Sequence, residues 1–125
     1  MIMGKFEIKT TKTGIKFNLK AGNGEIIATS EVYTTEAACR KGIESVRKNA
    51  LSAVEDQTVE PIEVQKHPKY EVYQDKAGEY RFRLKARNGE IIAVGESYKK
   101  KTSCLNGIES IKRNAPDAEI VKIEE

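Results

Sequence analysis

One histidine, two cysteines and three prolines in 125 residues leave this chain short of the groups from which metal and nucleophilic sites are built. His67 is the single histidine, and neither Cys-x-x-Cys nor His-x-x-x-His spacing occurs, so a tetrahedral metal site has no ligand set. No metal and no cofactor are expected. Without a secretion signal two cysteines make no disulfide framework, and no histidine stands in a matching position to activate either thiol, so Cys39 and Cys104 read as small core residues. No apolar run approaches the roughly 20 residues that span a bilayer, and Met1-Ile2-Met3-Gly4-Lys5 carries no targeting signal. The expectation is a soluble, cytoplasmic protein with no membrane partner. A strong charge of one sign is missing too: 22 basic against 19 acidic residues give +3, milder than the balance usual in nucleic-acid-binding domains.

The chain does contain itself twice. Ala21-Gly22-Asn23-Gly24-Glu25-Ile26-Ile27-Ala28 returns as Ala86-Arg87-Asn88-Gly89-Glu90-Ile91-Ile92-Ala93, an offset of 65 residues. The match continues through Glu31/Glu96, Tyr33/Tyr98, Cys39/Cys104, Gly42-Ile43-Glu44-Ser45/Gly107-Ile108-Glu109-Ser110 and Asn49-Ala50/Asn114-Ala115, so a whole supersecondary unit is duplicated. A unit of about 60 residues buries only about 60% of its unfolded surface, which favours two halves sharing one core.

Within each copy, period-2 alternation marks strands through Phe6, Ile8 and Thr10, then Ile15, Phe17, Leu19 and Ala21, with a third from Glu25 to Ser30 after Asn23-Gly24. Asn-Gly is the strongest signal for a two-residue type I′ hairpin, which needs positive φ at both central positions. The second copy repeats this from Tyr70, with one residue added at its first turn, where Gly78 precedes Phe82 by one position more than Gly14 precedes Phe17. From Thr35 to Ala50 the period becomes helical, with Cys39, Gly42/Ile43, Val46 and Ala50 on one face; Cys104, Ile108, Ile111 and Ala115 trace the same stripe. Glycine inside a helix costs about 1 kcal/mol against alanine, so Gly42 and Gly107 predict a close approach of each helix to the sheet or to its twin. Pro116-Asp117 stops the second helix and Glu119 to Ile123 closes the chain as a strand, whose counterpart in the first copy falls between Ala53 and Val64. The fold class is α+β: two tandem β-β-β-α-β repeats forming one shared antiparallel sheet with two helices on one face. Residues 1–60 form the first repeat, 61–68 the connection and 69–125 the second, together one domain.

The pattern Asn23-Gly24-Glu25-Ile26-Ile27-Ala28, Glu31-Val32-Tyr33, Ala38-Cys39, Gly42-Ile43-Glu44-Ser45-Val46 and Asn49-Ala50, present twice, resembles the YegP-like family of small, uncharacterised bacterial proteins. The resemblance implies two β-β-β-α-β units in one sheet that exchange their closing strands, and it supplies no activity, substrate or cofactor. The repeats would then provide a dimer-like contact internally, which implies a monomer. The second copy departs from the pattern where Lys99-Lys100-Lys101 replaces Thr34-Thr35-Glu36 and Gly95 replaces Ser30.

Those departures hold the candidate sites. Thr34 reads as the cap of the first helix, with Glu36 in its first turn, whereas the second helix opens on Lys99, Lys100 and Lys101, and ammonium groups beside free N–H donors suit a phosphate; Thr102 and Ser103 add hydroxyls. A solvated basic surface is the plainer alternative. On the strand from Tyr80, Arg81, Arg83, Lys85 and Arg87 share the face opposite Phe82 and Leu84, where the first copy has Lys16, Asn18, Lys20 and Gly22. Such a stripe tracks a phosphate backbone, although no aromatic interleaves with it on that strand, Tyr73 or Tyr98 would have to approach from elsewhere, and Glu71 and Glu90 are available as cross-strand partners. Glu31, Tyr33, Glu96 and Tyr98 form matching acid and phenol pairs at the strand-to-helix junctions, open to acid/base work only if the pseudo-twofold axis joins them. Gly22-Asn23-Gly24 lacks phosphate-loop spacing. The expectation is a non-enzymatic binding module taking an anionic partner, nucleic acid or an acidic protein surface; the alternatives are an enzyme using the Glu/Tyr pairs, or a structural protein with no discrete site.

Overall fold

Alternating side chains set the strands and a change of period sets the helices, in the same order twice over. The structure is a computed structural model that describes residues 4–123, so part of the Met1–Lys5 segment and the last two residues of the second repeat lie outside the described residues. The first copy runs β1 (Lys5–Thr10), β2 (Ile15–Lys20), β3 (Ile26–Thr29), α1 (Glu36–Asn49) and β4 (Val54–Asp56). The second runs β5 (Lys69–Gln74), β6 (Tyr80–Lys85), β7 (Ile91–Val94), α2 (Lys101–Asn114), a 3-10 turn at Ala115–Asp117, and β8 (Glu119–Ile123). All eight strands join one sheet in the order β4-β5-β6-β7-β3-β2-β1-β8. The closing strands are exchanged, β4 lying beside β5 of the second repeat and β8 beside β1 of the first.

The sheet is mixed rather than wholly antiparallel, because the two exchanged strands run parallel to their neighbours. Hairpins force antiparallel pairing, but a strand delivered by a crossing helix is under no such constraint. The strand before each helix and the strand after it stand four spacings apart, about 19 Å. A helix of 14 residues is about 21 Å long, so its length is used in crossing the sheet.

Both helices lie on one face. Phe6, Ile8, Phe17 and Leu19 of the first repeat and Tyr70, Val72, Phe82 and Leu84 of the second are fully buried beneath the stripes Cys39/Ile43/Val46 and Cys104/Ile108/Ile111. Full burial of each large apolar side chain contributes about 1.5–3 kcal/mol. Phe6 meets Phe17 edge-on at 5.7 Å and Tyr70 meets Phe82 in the same way at 6.2 Å. The halves are locked across the exchange, where the Tyr70 hydroxyl on β5 donates to the Ala50 carbonyl at the end of α1 (2.8 Å). The helix glycines answer to the junction tyrosines: a Cβ on Gly42 would stand 2.3 Å from Tyr33 Oη, and one on Gly107 2.6 Å from Tyr98 Oη.

Two local expectations change. The Asn-Gly loops are not type I′, since no described non-glycine residue has positive φ and only Gly24 (φ 87) and Gly89 (φ 84) do at these turns. Gly24 N donates to Ala21 O and Ala21 N to Glu25 O, giving a three-residue loop with its glycine in the left-handed position, repeated at Ala86–Glu90. Asn23 and Asn88 serve through their side chains, each Oδ1 accepting from the amide two residues on at 3.0 Å. The α1 cap is Thr35, not Thr34, its hydroxyl accepting from Ala38 N at 3.1 Å; the equivalent Lys100 provides no side-chain cap.

Candidate anion-binding face

The face away from the helices carries one row of side chains that crosses all eight strands. Register aligns Glu55, Glu71, Arg83, Val94, Thr29, Asn18, Glu7 and Val121, in that order from β4 to β8. The pseudo-twofold passes between Thr29 and Val94. The row is therefore polar but neutral at Asn18 on one side of the axis and cationic at Arg83 on the other.

Second-repeat charges on this face are tightly organised. Lys69 and Lys85 stand directly opposite each other, an arrangement that is repulsive alone. Glu71 relieves it, accepting from Arg83 Nε at 2.6 Å and lying 3.1 Å from Lys69 Nζ and 3.2 Å from Lys85 Nζ. Lys69 also reaches Glu55 at 2.7 Å, and Glu55 accepts from Gln57 Nε2 and from the Gln65 amide of the connection. The Glu55, Glu71 and Lys69 side chains are nearly closed to solvent, at 4%, 4% and 7% exposure. Burial by itself would raise the Glu71 pKa, but hydrogen bonds from Arg83, Lys69 and Lys85 outweigh it and bring the carboxyl down to about 2. Lys69 is likewise held above its ordinary value, the bonds to Glu55 and Glu71 overcoming desolvation. The first repeat builds a thinner version, with Glu7 at 2.9 Å from Lys20 and 3.7 Å from Lys5.

An aromatic ring does join the stripe. Tyr73 on β5 is the register partner of Arg81, and the Arg83 guanidinium lies 4.4 Å from its ring centre. The first-repeat positions equivalent to Tyr73, Arg81 and Arg83 hold Lys9, Lys16 and Asn18, so the arginine–tyrosine stack belongs to the second repeat alone.

The structure divides the seven basic candidates. Arg83 and Lys85 are tied to Glu71, and Lys101 pairs with Asp56 at the end of β4. Arg81 lies at the Tyr73 end of the stripe, near Lys99 and Lys100, because the Tyr80–Tyr98 bridge brings the α2 entrance beside the start of β6. Arg87 leaves the stripe: it lies in the loop after β6, past the register shift at Leu84/Lys85, and lines a cleft of about 470 Å³ with Ser45, Lys48 and Asn49 of α1, on the helix side of the sheet. The partners that register supplies, Glu71 above all, are what period-2 reasoning on one strand leaves out.

The Glu/Tyr pairs do not converge. β3 and β7 are antiparallel with Thr29 opposite Val94, so Glu31 and Glu96 leave opposite ends of the central strand pair, about 14 Å apart along it. That exceeds the roughly 10 Å within which paired carboxylates work in hydrolysis. Glu31 instead shares a shallow cleft with Lys85 and Glu90 of the other repeat. Burial, reinforced by neighbouring acidic groups, raises the phenols of Tyr33 and Tyr98. Cys39 and Cys104 are buried and unbridged, and burial pushes the Cys104 thiol up to about 11. No group of histidine, cysteine and acidic residues able to hold a metal occurs among the described residues, and no described helix is long and apolar enough to cross a membrane.

Both copies match the family described as Domain of unknown function (DUF1508), over residues 12–56 and 75–121. The chain belongs to this family. The UPF0339 protein YegP of Yersinia pestis is 42% identical over 115 residues, covering 91% of this chain and 90% of that protein. A UPF0339 protein of Treponema denticola is 60% identical over 55 residues, which are 44% of this chain and 95% of the relative, so the DUF1508 repeat also occurs at single-copy length. The solution structure of yegP from E. coli, described as a protein of unknown function, superposes with a TM-score of 0.79 at 34% identity, covering 98% of this chain and 94% of that one. The UPF0339 protein of Shewanella oneidensis gives 0.77 at 33% identity, over 98% and 92%. Membership in the DUF1508 family and the likeness to these two-repeat structures thus account for the fold, and bring no activity with them.

Proposed function

We propose that this DUF1508 protein is a non-enzymatic, cytoplasmic, monomeric binding module whose second repeat takes an extended anionic partner, single-stranded nucleic acid, on the outer face of the sheet. The observation that carries the reading is the stack of Arg83 on Tyr73 with Arg81 opposite, a cationic strip with an aromatic plane on a sheet face that no helix covers. Single-strand binders combine these two elements, cations for the phosphates and a ring for a base. Arg81 is the phosphate contact on this face, with Lys99 and Lys100 at its α2 end; Arg83 and Lys85 are ion-paired with Glu71, and Arg83 supports the Tyr73 ring. Lys101 is committed to Asp56 and lies outside the contact.

Fluorescence anisotropy with a labelled mixed-sequence single-stranded oligonucleotide tests this. Binding is expected to weaken steeply with salt, by a logarithmic slope of about 0.7 for each phosphate neutralised. Arg81→Ala is expected to reduce that slope, and Tyr73→Leu to weaken binding by about 1–3 kcal/mol. Binding that responds to the arginine and not to the tyrosine points to an acidic protein surface instead. No binding at low salt refutes the proposal.

A further inference from the structure

The two helix entrances carry the same ion pair with its polarity reversed. Glu36 opens α1 and Lys101 occupies the equivalent position in α2. Asp56 of β4 lies opposite Val72, and Lys122 of β8 lies opposite Ile8; Val72 and Ile8 are equivalent, facing Phe82 and Phe17 respectively, so Asp56 and Lys122 are equivalent as well. Across the exchange Glu36 meets Lys122 at 2.8 Å and Lys101 meets Asp56. In each half the helix entrance and the arriving strand carry opposite charges, and the halves are inverted with respect to each other.

We propose that these reversed pairs are a pairing code that assigns each closing strand to the opposite repeat. A strand that stayed with its own repeat would occupy the same register on its own edge. Asp56 would then face Glu36, and Lys122 would face Lys101, like charges at both entrances. The exchanged arrangement turns both contacts attractive, so the discrimination comes from both terms. The code also accounts for Lys101 at a helix N-terminus, where the macrodipole favours an acid: its counter-ion arrives on β4, and the opposite polarity would match the strand that must be refused. The flanking groups keep the acids in place. Glu36 is also held by Arg40 at 3.0 Å, and Asp56 accepts from the Thr58 amide at 2.9 Å and from its hydroxyl.

Charge exchange in the full-length chain tests the code. Asp56→Lys with Lys122→Asp moves the strand charges, and Glu36→Lys with Lys101→Glu moves the helix charges; either double variant places like charges at both entrances. Each exposed pair, and each like-charged replacement, acts on the scale of about a two- to fivefold change in equilibrium constant, so each double variant, with two of each, is expected to fold about fifteenfold to several hundredfold less favourably in urea titration. The quadruple variant restores two attractive pairs of inverted polarity and is expected to recover more than half of that loss on a logarithmic scale, with the gap closing in high salt. A quadruple variant as weak as the sum of the two doubles overturns the proposal. Should the double variants fail to fold, Glu36→Gln and Asp56→Asn serve at low and high salt: a loss that shrinks with salt supports the code, and one indifferent to salt overturns it.

Discussion

Glu71 is the counter-ion on which the outer face of the second repeat is organised, and Glu71→Gln is the perturbation that measures it. The substitution keeps the shape of the side chain and removes one negative charge from among Lys69, Arg83 and Lys85. A carboxyl lowered from 4.5 to about 2 corresponds to roughly 3 kcal/mol of linkage. Arg83 and Lys85 keep 28% and 22% of their side chains exposed and can turn to water, so screening reduces the expected loss to about 2 kcal/mol. With a urea dependence of about 1–3 kcal/mol per molar, the midpoint moves down by about 1 M while the slope stays unchanged. The sign with pH follows from the depressed value: the contribution is present in full above the unfolded carboxylate range and is lost as pH falls through about 2, so the variant loses that part of the acid sensitivity. Glu7→Gln is the internal control, with Lys20 and Lys5 as partners and neutral Asn18 where Arg83 would be, and is expected to cost about 1 kcal/mol or less. A Glu71→Gln midpoint within error of the wild type, or a larger loss at Glu7, refutes the reasoning.

Cap asymmetry predicts opposite responses at the two helix starts: Thr35→Ala is expected to lower stability by about 1 kcal/mol, while Lys100→Thr gains about 0.5 kcal/mol by installing the missing cap, both read as thermal midpoints. Tyr70→Phe removes the hydroxyl that satisfies the buried Ala50 carbonyl and is expected to cost about 1–3 kcal/mol in urea titration, although the first repeat manages with Phe6 at the same place. Cys104, buried with its thiol pushed up to about 11, is expected to resist a thiol reagent at pH 8 until the chain unfolds; labelling of the native protein at the rate of a free thiol contradicts this.

Periodicity is local, and what depends on it was legible. The alternation in Phe6-Ile8 and Phe17-Leu19, the stripe from Cys39 to Ala50 and the stop at Pro116 place strands, helices and the end of α2 where the structure has them. Strand exchange followed from the family resemblance, whereas the parallel direction of β4 and β8 depends on which edge a crossing helix reaches, a non-local matter. The type I′ expectation failed because Asn-Gly also serves a three-residue loop, which forms with Gly22 before it in one copy and with Arg87 in the other. The basic stripe was readable as a shared face, but its neutralisation was only half so. Glu71 was visible as a cross-strand candidate; that one carboxylate would take Lys69, Arg83 and Lys85 together requires the β5–β6 register. Tyr73 was visible as a ring that could approach from elsewhere, and the register places it beside Arg83; Asp56 escaped, since it meets its cation on a helix.

The account rests most directly on the outer face of the second repeat, and an amide NMR titration of labelled protein with a mixed-sequence single-stranded oligonucleotide, at low and then moderate salt, addresses it in one experiment. The account predicts shifts confined to Tyr73, Arg81 through Lys85, Lys99 and Lys100, fading as salt rises, with the first-repeat strands and the Lys101–Asp56 contact unmoved. A spectrum that stays still at low salt, or shifts centred on the first repeat, contradicts it.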